Sequence, residues 1–196
     1  MGFIMLGLFA MTAVSVDGSV LQMINHGIST GALFLFVGML YERRHTRLIS
    51  DFGGLAKKAP IFAALFMIAV LSSVGLPGLN GFVGEFLILV GSFKQYTVFT
   101  IFATSGIVFA AVYLLWMFQR VMFQDITNQK NEDFKDMTLR EIMTVLPLIF
   151  LMFFIGLYPD VFLSRINPTV VHFVSIIEHN KYAYNLIKAK MGLFNA

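Results

Sequence analysis

Five long apolar runs constrain this chain of 196 residues more than any other feature of its sequence. A bilayer core of about 30 Å is crossed by about 20 apolar residues in a helix, so runs of this length predict membrane spans. Only 13% of the residues are charged, against roughly 25% in an average soluble domain. The sequence therefore predicts an all-α integral membrane protein with about five spans. The predicted spans are 1–16, 18–41, 60–93, 98–123 and 139–158.

The first run is short, and no basic residue precedes it as one would in a signal peptide. We interpret it as a truncated helix, joined to the second span at Asp17. The segments that connect the predicted spans divide by charge. Nine basic residues lie in or beside 42–59 and 124–138, whereas the connections on the other side of the membrane contain one, Lys94. The positive-inside rule places the two basic connections in the cytoplasm. The net charge of +3 is too small and too scattered to indicate nucleic acid.

The third run, 60–93, is too long for one straight helix, and the sequence GLPGLN interrupts its middle. Proline lacks an amide proton and glycine disfavours continuous helix. Unwound backbone inside a membrane is tolerated only where protein or a water-filled cavity surrounds it. The sequence therefore predicts a broken helix around 75–80. The residues assigned to the break are Gly75, Pro77, Gly78 and Asn80.

One acidic residue, Glu85, lies inside an apolar run and close to the predicted break. A carboxylate in hydrocarbon is costly unless it is paired or hydrated, and ionisable groups inside a membrane mark ion paths by default. We therefore predict that Glu85 belongs to a proton path, the alternative being a pair with a basic side chain of a neighbouring helix. Gly81, Gly84 and Gly91 allow neighbouring helices to approach closely beside it.

The second span carries a polar stripe. Because its members recur at helical spacing, they share one face, which should point to protein or water rather than lipid. An imidazole can take up and release protons in the physiological range, so His26 is either a proton relay or a hydrogen-bonded structural group. The stripe consists of Gln22, Asn25, His26, Ser29 and Thr30.

Residues 161–196 differ in their pattern of apolar and charged residues from the membrane domain at 1–160. Apolar residues recur at helical spacing among charged ones, which predicts an amphipathic helix at the membrane interface. A docking arm along a neighbouring subunit is the alternative. The apolar positions are Val170, Val174, Ile177 and Tyr184, and the polar positions are Glu178, Lys181 and Lys188.

Other chemistry has no signal in the sequence. There is no Cys, which excludes thiolate-ligated zinc, iron–sulfur clusters and disulfides. Glycine-rich nucleotide loops, HExxH motifs and nucleophile elbows are also absent from the sequence. We therefore expect no redox centre and no cofactor in this chain. A weaker stripe at Thr97, Thr100 and Thr104 is expected to bond the backbone of its own helix.

Four segments in order resemble a known family. They are 22–29 (QMINHGIS), 38–47 (GMLYERRHTR), 51–55 (DFGGL) and 75–89 (GLPGLNGFVGEFLIL). Together they resemble subunit M, the antiporter-like subunit 4 family, of NADH-quinone oxidoreductase (respiratory complex I), over about residues 1–160. The resemblance implies a larger antiporter-like fold of two inverted repeats, each with one broken helix. This chain is similar to its C-terminal part only: most of the second repeat and the last helix.

The resemblance also implies a function. It implies a proton-translocating membrane-arm subunit of an oxidoreductase, driven by redox chemistry in partner subunits that hold NADH, FMN, iron–sulfur clusters and quinone. Its partners would be other membrane-arm subunits, including antiporter-like ones, and the lipid bilayer. The implied location is a bacterial inner (plasma) membrane, with the mitochondrial inner membrane as the alternative. The resulting proton path consists of Glu85, near its outer opening, His26 on its central axis, and Gln22, Asn25 and Ser29.

Two other functions remain open. One is a subunit of a multisubunit sodium/proton antiporter, a related family in which the position of Glu85 is usually Lys. The other is an inert structural membrane subunit. The sequence also leaves open whether the chain is a fragment, the product of a truncated gene model or a separate polypeptide of a split subunit.

Overall fold

A computed structural model describes the backbone of residues 1–126 and 128–193, and the side chains of 1–126 and 128–180. The described residues form eight α-helices and no strand. Three of the helices, α2, α6 and α7, are long and apolar enough to cross a membrane, which confirms the all-α membrane class. The count of five spans stays a prediction. The helices are α1 (Gly2–Ala10), α2 (Ala13–Arg44), α3 (Leu55–Lys58), α4 (Pro60–Val74), α5 (Asn80–Phe93), α6 (Thr97–Met122), α7 (Leu139–Leu157) and α8 (Asp160–Leu193).

The break in the third apolar run separates α4 from α5. Gly75 ends α4 in a left-handed conformation, with φ of 84°, which glycine adopts without steric cost. A turn at 76–79 follows, in which the amide of Leu79 donates to the carbonyl oxygen of Leu76 at 3.1 Å. Pro77 at its second position and Gly78 at its third, with φ of 94°, are the pattern of a type II turn.

Two predicted boundaries are wrong. The first connection is not at Asp17 but at Met11 and Thr12, between α1 and α2. Met11 is left-handed, and the Thr12 hydroxyl caps α2 by accepting from the amide of Ser15 at 3.1 Å. A link of two residues is too short to interrupt an apolar run. Asn80, assigned to the break, is instead the first residue of α5, because the turn closes one residue earlier.

Phenylalanine side chains fill the core between α2, α4 and α6. The ring of Phe36 lies 5.2 Å from those of both Phe62 and Phe66, and Phe66 lies 5.5 Å from Phe118. All four side chains are almost fully buried. Outside this contact α6 presents apolar side chains to the exterior, with Phe102 72% exposed, as expected for a surface facing lipid or another subunit.

The two basic connections meet at one end of the molecule. Arg43, in the last turn of α2, donates to both carboxylate oxygens of Glu141 in α7, at 2.7 and 2.8 Å. Asp136 caps α4 by accepting from the amides of Ile61 and Phe62, each at 3.0 Å. The shared end agrees with the charge pattern, and its cytoplasmic location stays a prediction.

α8 packs against the opposite end of α2. Val170 and Val174, two of the predicted apolar positions, are buried against Val16. Beside them the amide of Asn167 donates to the Asp17 carboxylate at 2.5 Å. The predicted positions Lys181, Tyr184 and Lys188 lie outside the described side chains.

Candidate functional site

Glycines bring α5 into direct contact with α2 and α4 at the break. A Cβ at Gly84 would collide with the Gln22 side chain, and one at Gly81 would collide with the carbonyl oxygen of Ser72. Gly91 makes a similar approach to the backbone of Ser15. The prediction that these glycines allow close helix approach is confirmed. The close approach lets short polar side chains on the helices reach one another.

The carboxyl group of Glu85 lies beside this contact and is half-buried. Its Oε1 accepts a hydrogen bond from Nε2 of Gln22 at 3.3 Å. Its Oε2 packs against Gly75, where an added Cβ would lie 2.7 Å away. The ion pair found among the described side chains is that of Arg43 with Glu141. Glu85 therefore has a neutral donor and no cationic partner within that part of the chain.

From Gln22 a chain of buried hydrogen bonds continues toward the break. Nδ2 of Asn25 donates to Oε1 of Gln22 at 3.3 Å and to the carbonyl oxygen of Asn80 at 2.7 Å. The hydroxyls of Ser29 and Ser72 lie 2.6 Å apart, and that of Ser72 donates to Oδ1 of Asn80 at 2.5 Å. No member of this polar network is more than 9% exposed. Each therefore depends on its partners, because an unpaired buried polar group is destabilising.

The predicted polar stripe divides into two parts. Gln22, Asn25 and Ser29 enter the network, whereas His26 is exposed and its Nδ1 lies 3.1 Å from the hydroxyl of Thr30. Adjacent helical residues are about 100° apart around the axis, so His26 is turned away from α5. His26 nevertheless lines the same cavity as Glu85, with a volume of about 260 Å³.

Ser72 was not among the predicted site residues, although its hydroxyl joins α4 to both α2 and α5. The available signal was the pair of serines in the last turn before Gly75. Their roles differ, because Ser73 donates to the carbonyl of Ala69 in its own helix at 3.0 Å. Sequence spacing alone does not distinguish the two.

The threonine stripe on α6 follows the prediction only in part. Each hydroxyl donates at 2.8 Å to a carbonyl four residues earlier in the chain. Thr104 bonds its own helix at Thr100, whereas Thr97 bonds Phe93 at the end of α5 and Thr100 bonds Tyr96, which precedes α6. The three donors are Thr97, Thr100 and Thr104.

The arrangement suits proton transfer better than ligand binding. The cavity of about 260 Å³, which is lined by both polar and apolar side chains, has room for several waters at about 30 Å³ each. Amides donate and accept hydrogen bonds without titrating, so Gln22 and Asn25 orient their neighbours, while Glu85 and His26 can exchange protons with water. Among the described residues no group of three His, Asp or Glu side chains could hold a metal ion.

Comparisons with known proteins give a consistent result. A family model described as "NADH:quinone oxidoreductase/Mrp antiporter, TM" matches residues 1–109. NADH-quinone oxidoreductase subunit M of Rhodobacter capsulatus is 43% identical over 174 residues, which cover 89% of this chain and 34% of that protein. The same subunit of Rickettsia conorii is 47% identical over 170 residues, which cover 87% of this chain and 34% of that protein. The chain thus spans about a third of the length of these relatives.

Solved structures show the same likeness. A chain in "Respiratory complex I from Thermus thermophilus with bound NADH" matches with a TM-score of 0.84 and 34% identity, covering 89% of this chain and 36% of that one. A chain of the Mrp complex from Dietzia sp. DQ12-45-1b matches with a TM-score of 0.77 and 17% identity, and the match covers 86% of this chain and 40% of that one. At that identity the second likeness shows the fold alone.

Proposed function

Because the chain belongs to the NADH:quinone oxidoreductase/Mrp antiporter family, we propose that it forms a proton-conducting part of a membrane-arm subunit of an NADH:quinone oxidoreductase. Its relatives carry the name of that subunit. The observation that carries the proposal is the Glu85 carboxyl group, which lies beside a helix break, lines a cavity with other polar side chains and has a neutral hydrogen-bond partner.

The geometry of the site supports a route for proton transfer. The carboxyl group of Glu85 takes up a proton from water in the cavity, and His26 is the second titratable group on that path. Gln22 and Asn25 hold the hydrogen-bond geometry on the α2 side, and Ser29 joins α2 to Ser72 in the last turn before the helix break. Release toward the outer side follows when the hydration around the break changes.

The driving reaction belongs to other subunits of the complex. A chain without cysteine cannot ligate an iron–sulfur cluster through thiolates, so we assign the clusters, FMN, NADH and quinone to partner subunits. The partners in the membrane are other membrane-arm subunits, including antiporter-like ones. The proposed location is the bacterial plasma membrane, in keeping with the bacterial relatives.

The test is Glu85→Gln in the complete complex. This change keeps the shape and the hydrogen-bonding capacity of the side chain but removes the titratable group. We expect NADH-driven proton uptake by inverted membrane vesicles to fall roughly tenfold or more, with the complex still assembled. Glu178→Gln, the same change at an exposed position of α8, is the matched control and should match the wild type. An unaltered ratio of protons to electrons in the Glu85 variant would refute the proposal.

Sodium/proton exchange is the second candidate, because the description of the family model that matches residues 1–109 also names the Mrp antiporter. The same vesicles decide between the two. Acidification that needs sodium, proceeds without NADH and is lost in Glu85→Gln favours the antiporter. If Glu85→Gln is silent while a bulky residue at Gly84 blocks assembly, the chain is a structural subunit.

A further inference from the structure

The turn of the broken helix is covered by α7. Turn backbone at membrane depth has to be enclosed by protein or water, and α7 packs against α5, the helix that follows the turn. Gly156, the penultimate residue of α7, lies directly on the turn. A Cβ there would lie 2.6 Å from the carbonyl carbons of both Gly78 and Leu79, and would also collide with the carbonyl oxygen of Gly78. Any side chain at Gly156 therefore displaces the turn or α7.

The backbone of Gly156 does not itself require glycine. The described glycines with positive φ are Gly54, Gly75 and Gly78, so Gly156 has a conformation open to other residues. Within a helix, glycine is less favourable than alanine by about 1 kcal/mol. The close approach to the turn is therefore the physical reason for a glycine at this position.

The same turn determines the surroundings of Glu85. At one end of the turn, Gly75 packs against Oε2 of Glu85. At the other end, Asn80 begins α5, the helix that carries Glu85. A displacement of Gly78 therefore shifts both the surface against the carboxyl group and the start of its helix.

We propose that Gly156 is a positioning residue for Glu85, acting through the turn at 76–79. The inference rests on the proposed function, since it assigns to Gly156 a part in proton transfer by Glu85. It also gives α7 a role that its apolar sequence does not suggest: α7 holds the break in the geometry that proton transfer requires.

The experiment is Gly156→Ala in the complete complex. We expect proton translocation per assembled complex to fall roughly threefold or more, because small displacements of a reacting group strongly reduce rates. The pH profile of translocation should also shift, since the surroundings of Glu85 change. The other titratable groups that line its cavity are the side chains of His26 and Tyr113 and the amino group of Met1.

Gly106→Ala is the matched control. It makes the same chemical change in α6, where the added Cβ would meet its nearest neighbour, Phe3, at 4.0 Å, an ordinary contact. We expect wild-type assembly, translocation and pH profile from this variant. A loss in Gly106→Ala equal to that in Gly156→Ala would overturn the inference, because added bulk in any membrane helix would then suffice.

The remaining outcomes also decide. If Gly156→Ala lowers only the amount of complex and each complex translocates normally, the role is structural and the inference fails. If Gly156→Ala does not assemble, Pro77→Ala is the second variant, because it loosens the same turn at an exposed residue. We expect the same loss of translocation per complex and the same shift of the pH profile. Wild-type translocation in Pro77→Ala would overturn the inference. Glu85→Gln is measured in parallel. If Glu85→Gln translocates protons normally, the proposed function is rejected. If Glu85→Gln loses translocation while Gly156→Ala retains it and its pH profile, only the present inference is rejected.

Discussion

Two carboxyl groups that contact α2 are held in opposite ways. At the C-terminal end of the helix, both oxygens of Glu141 are bound by the guanidinium of Arg43, at 2.7 and 2.8 Å. In the N-terminal half of the same helix, the side-chain amide of Gln22, which is neutral, donates a hydrogen bond to Glu85 at 3.3 Å. Glu85 has no cationic partner among the described side chains. A paired guanidinium fixes the charge of a carboxylate, whereas a neutral donor leaves both protonation states accessible. The difference separates a structural carboxylate from one that can carry a proton.

The polar network around Glu85 extends this contrast. Its members are amides and hydroxyls, so it positions the carboxyl group of Glu85 without adding an ionised side chain next to it. Hydrogen bonds within a buried polar network restrict the positions of its side chains, although Oδ1 of Asn25 has no hydrogen-bond partner among the described residues. The proposed site thus combines positioned side chains with one titratable carboxyl group, which is what a proton carrier needs.

The largest expected effect on assembly comes from Arg43→Ala. It leaves the Glu141 carboxylate without its counter-ion in a position where both side chains are mostly buried, at 16% and 17% exposure. We expect a loss of about 2–3 kcal/mol in stability and severalfold less assembled complex on native gels. Each remaining complex should translocate protons normally.

Arg165→Ala is the control for that variant, because Arg165 is exposed on α8. It should leave the amount of complex unchanged. The contrast between the two carboxyl groups breaks down if Arg43→Ala reduces translocation per complex as strongly as Glu85→Gln does.

An intermediate effect is expected from Gln22→Leu. This change removes the donor to Glu85 and the acceptor for Asn25, leaving polar groups without partners at a cost of about 1–3 kcal/mol. We expect translocation per complex to fall roughly threefold, measured with the same vesicles. Gln119→Leu, at an exposed position of α6, should have no effect. Wild-type translocation in Gln22→Leu would show that the network does not serve Glu85.

The break and Glu85 could be predicted because local chemistry specifies them. Proline and glycine at adjacent positions favour a turn whatever surrounds it, and the turn is found at Pro77 and Gly78. A carboxylate in an apolar run needs a special environment, so Glu85 was also evident. The first connection was missed because Met11 and Thr12 form too short a link to lower the hydropathy of a long run.

The division of the polar stripe could not be predicted for a different reason. Helical spacing places Asn25 and His26 on one broad face, but the angle of α5 decides that Asn25 is buried and His26 exposed. Ser72 and Ser73 present the same problem, since only the packed structure shows which hydroxyl reaches Ser29. Contacts between helices depend on their relative rotation, which a single sequence does not contain.

The smallest effect is expected from Thr104→Val. This variant tests whether the loss of any polar side-chain atom impairs translocation, or only the loss of one that is hydrogen-bonded to Glu85. The hydroxyl of Thr104 donates to the carbonyl of Thr100 at 2.8 Å, an oxygen four residues earlier in the same helix, and valine has nearly the same shape. We expect the thermal stability of the complex to change by less than about 0.5 kcal/mol and proton translocation to stay at the wild-type rate. A loss as large as that in Gln22→Leu would mean that removing any polar atom from these helices impairs the complex. The effect of Gln22 could then no longer be attributed to its hydrogen bond with Glu85.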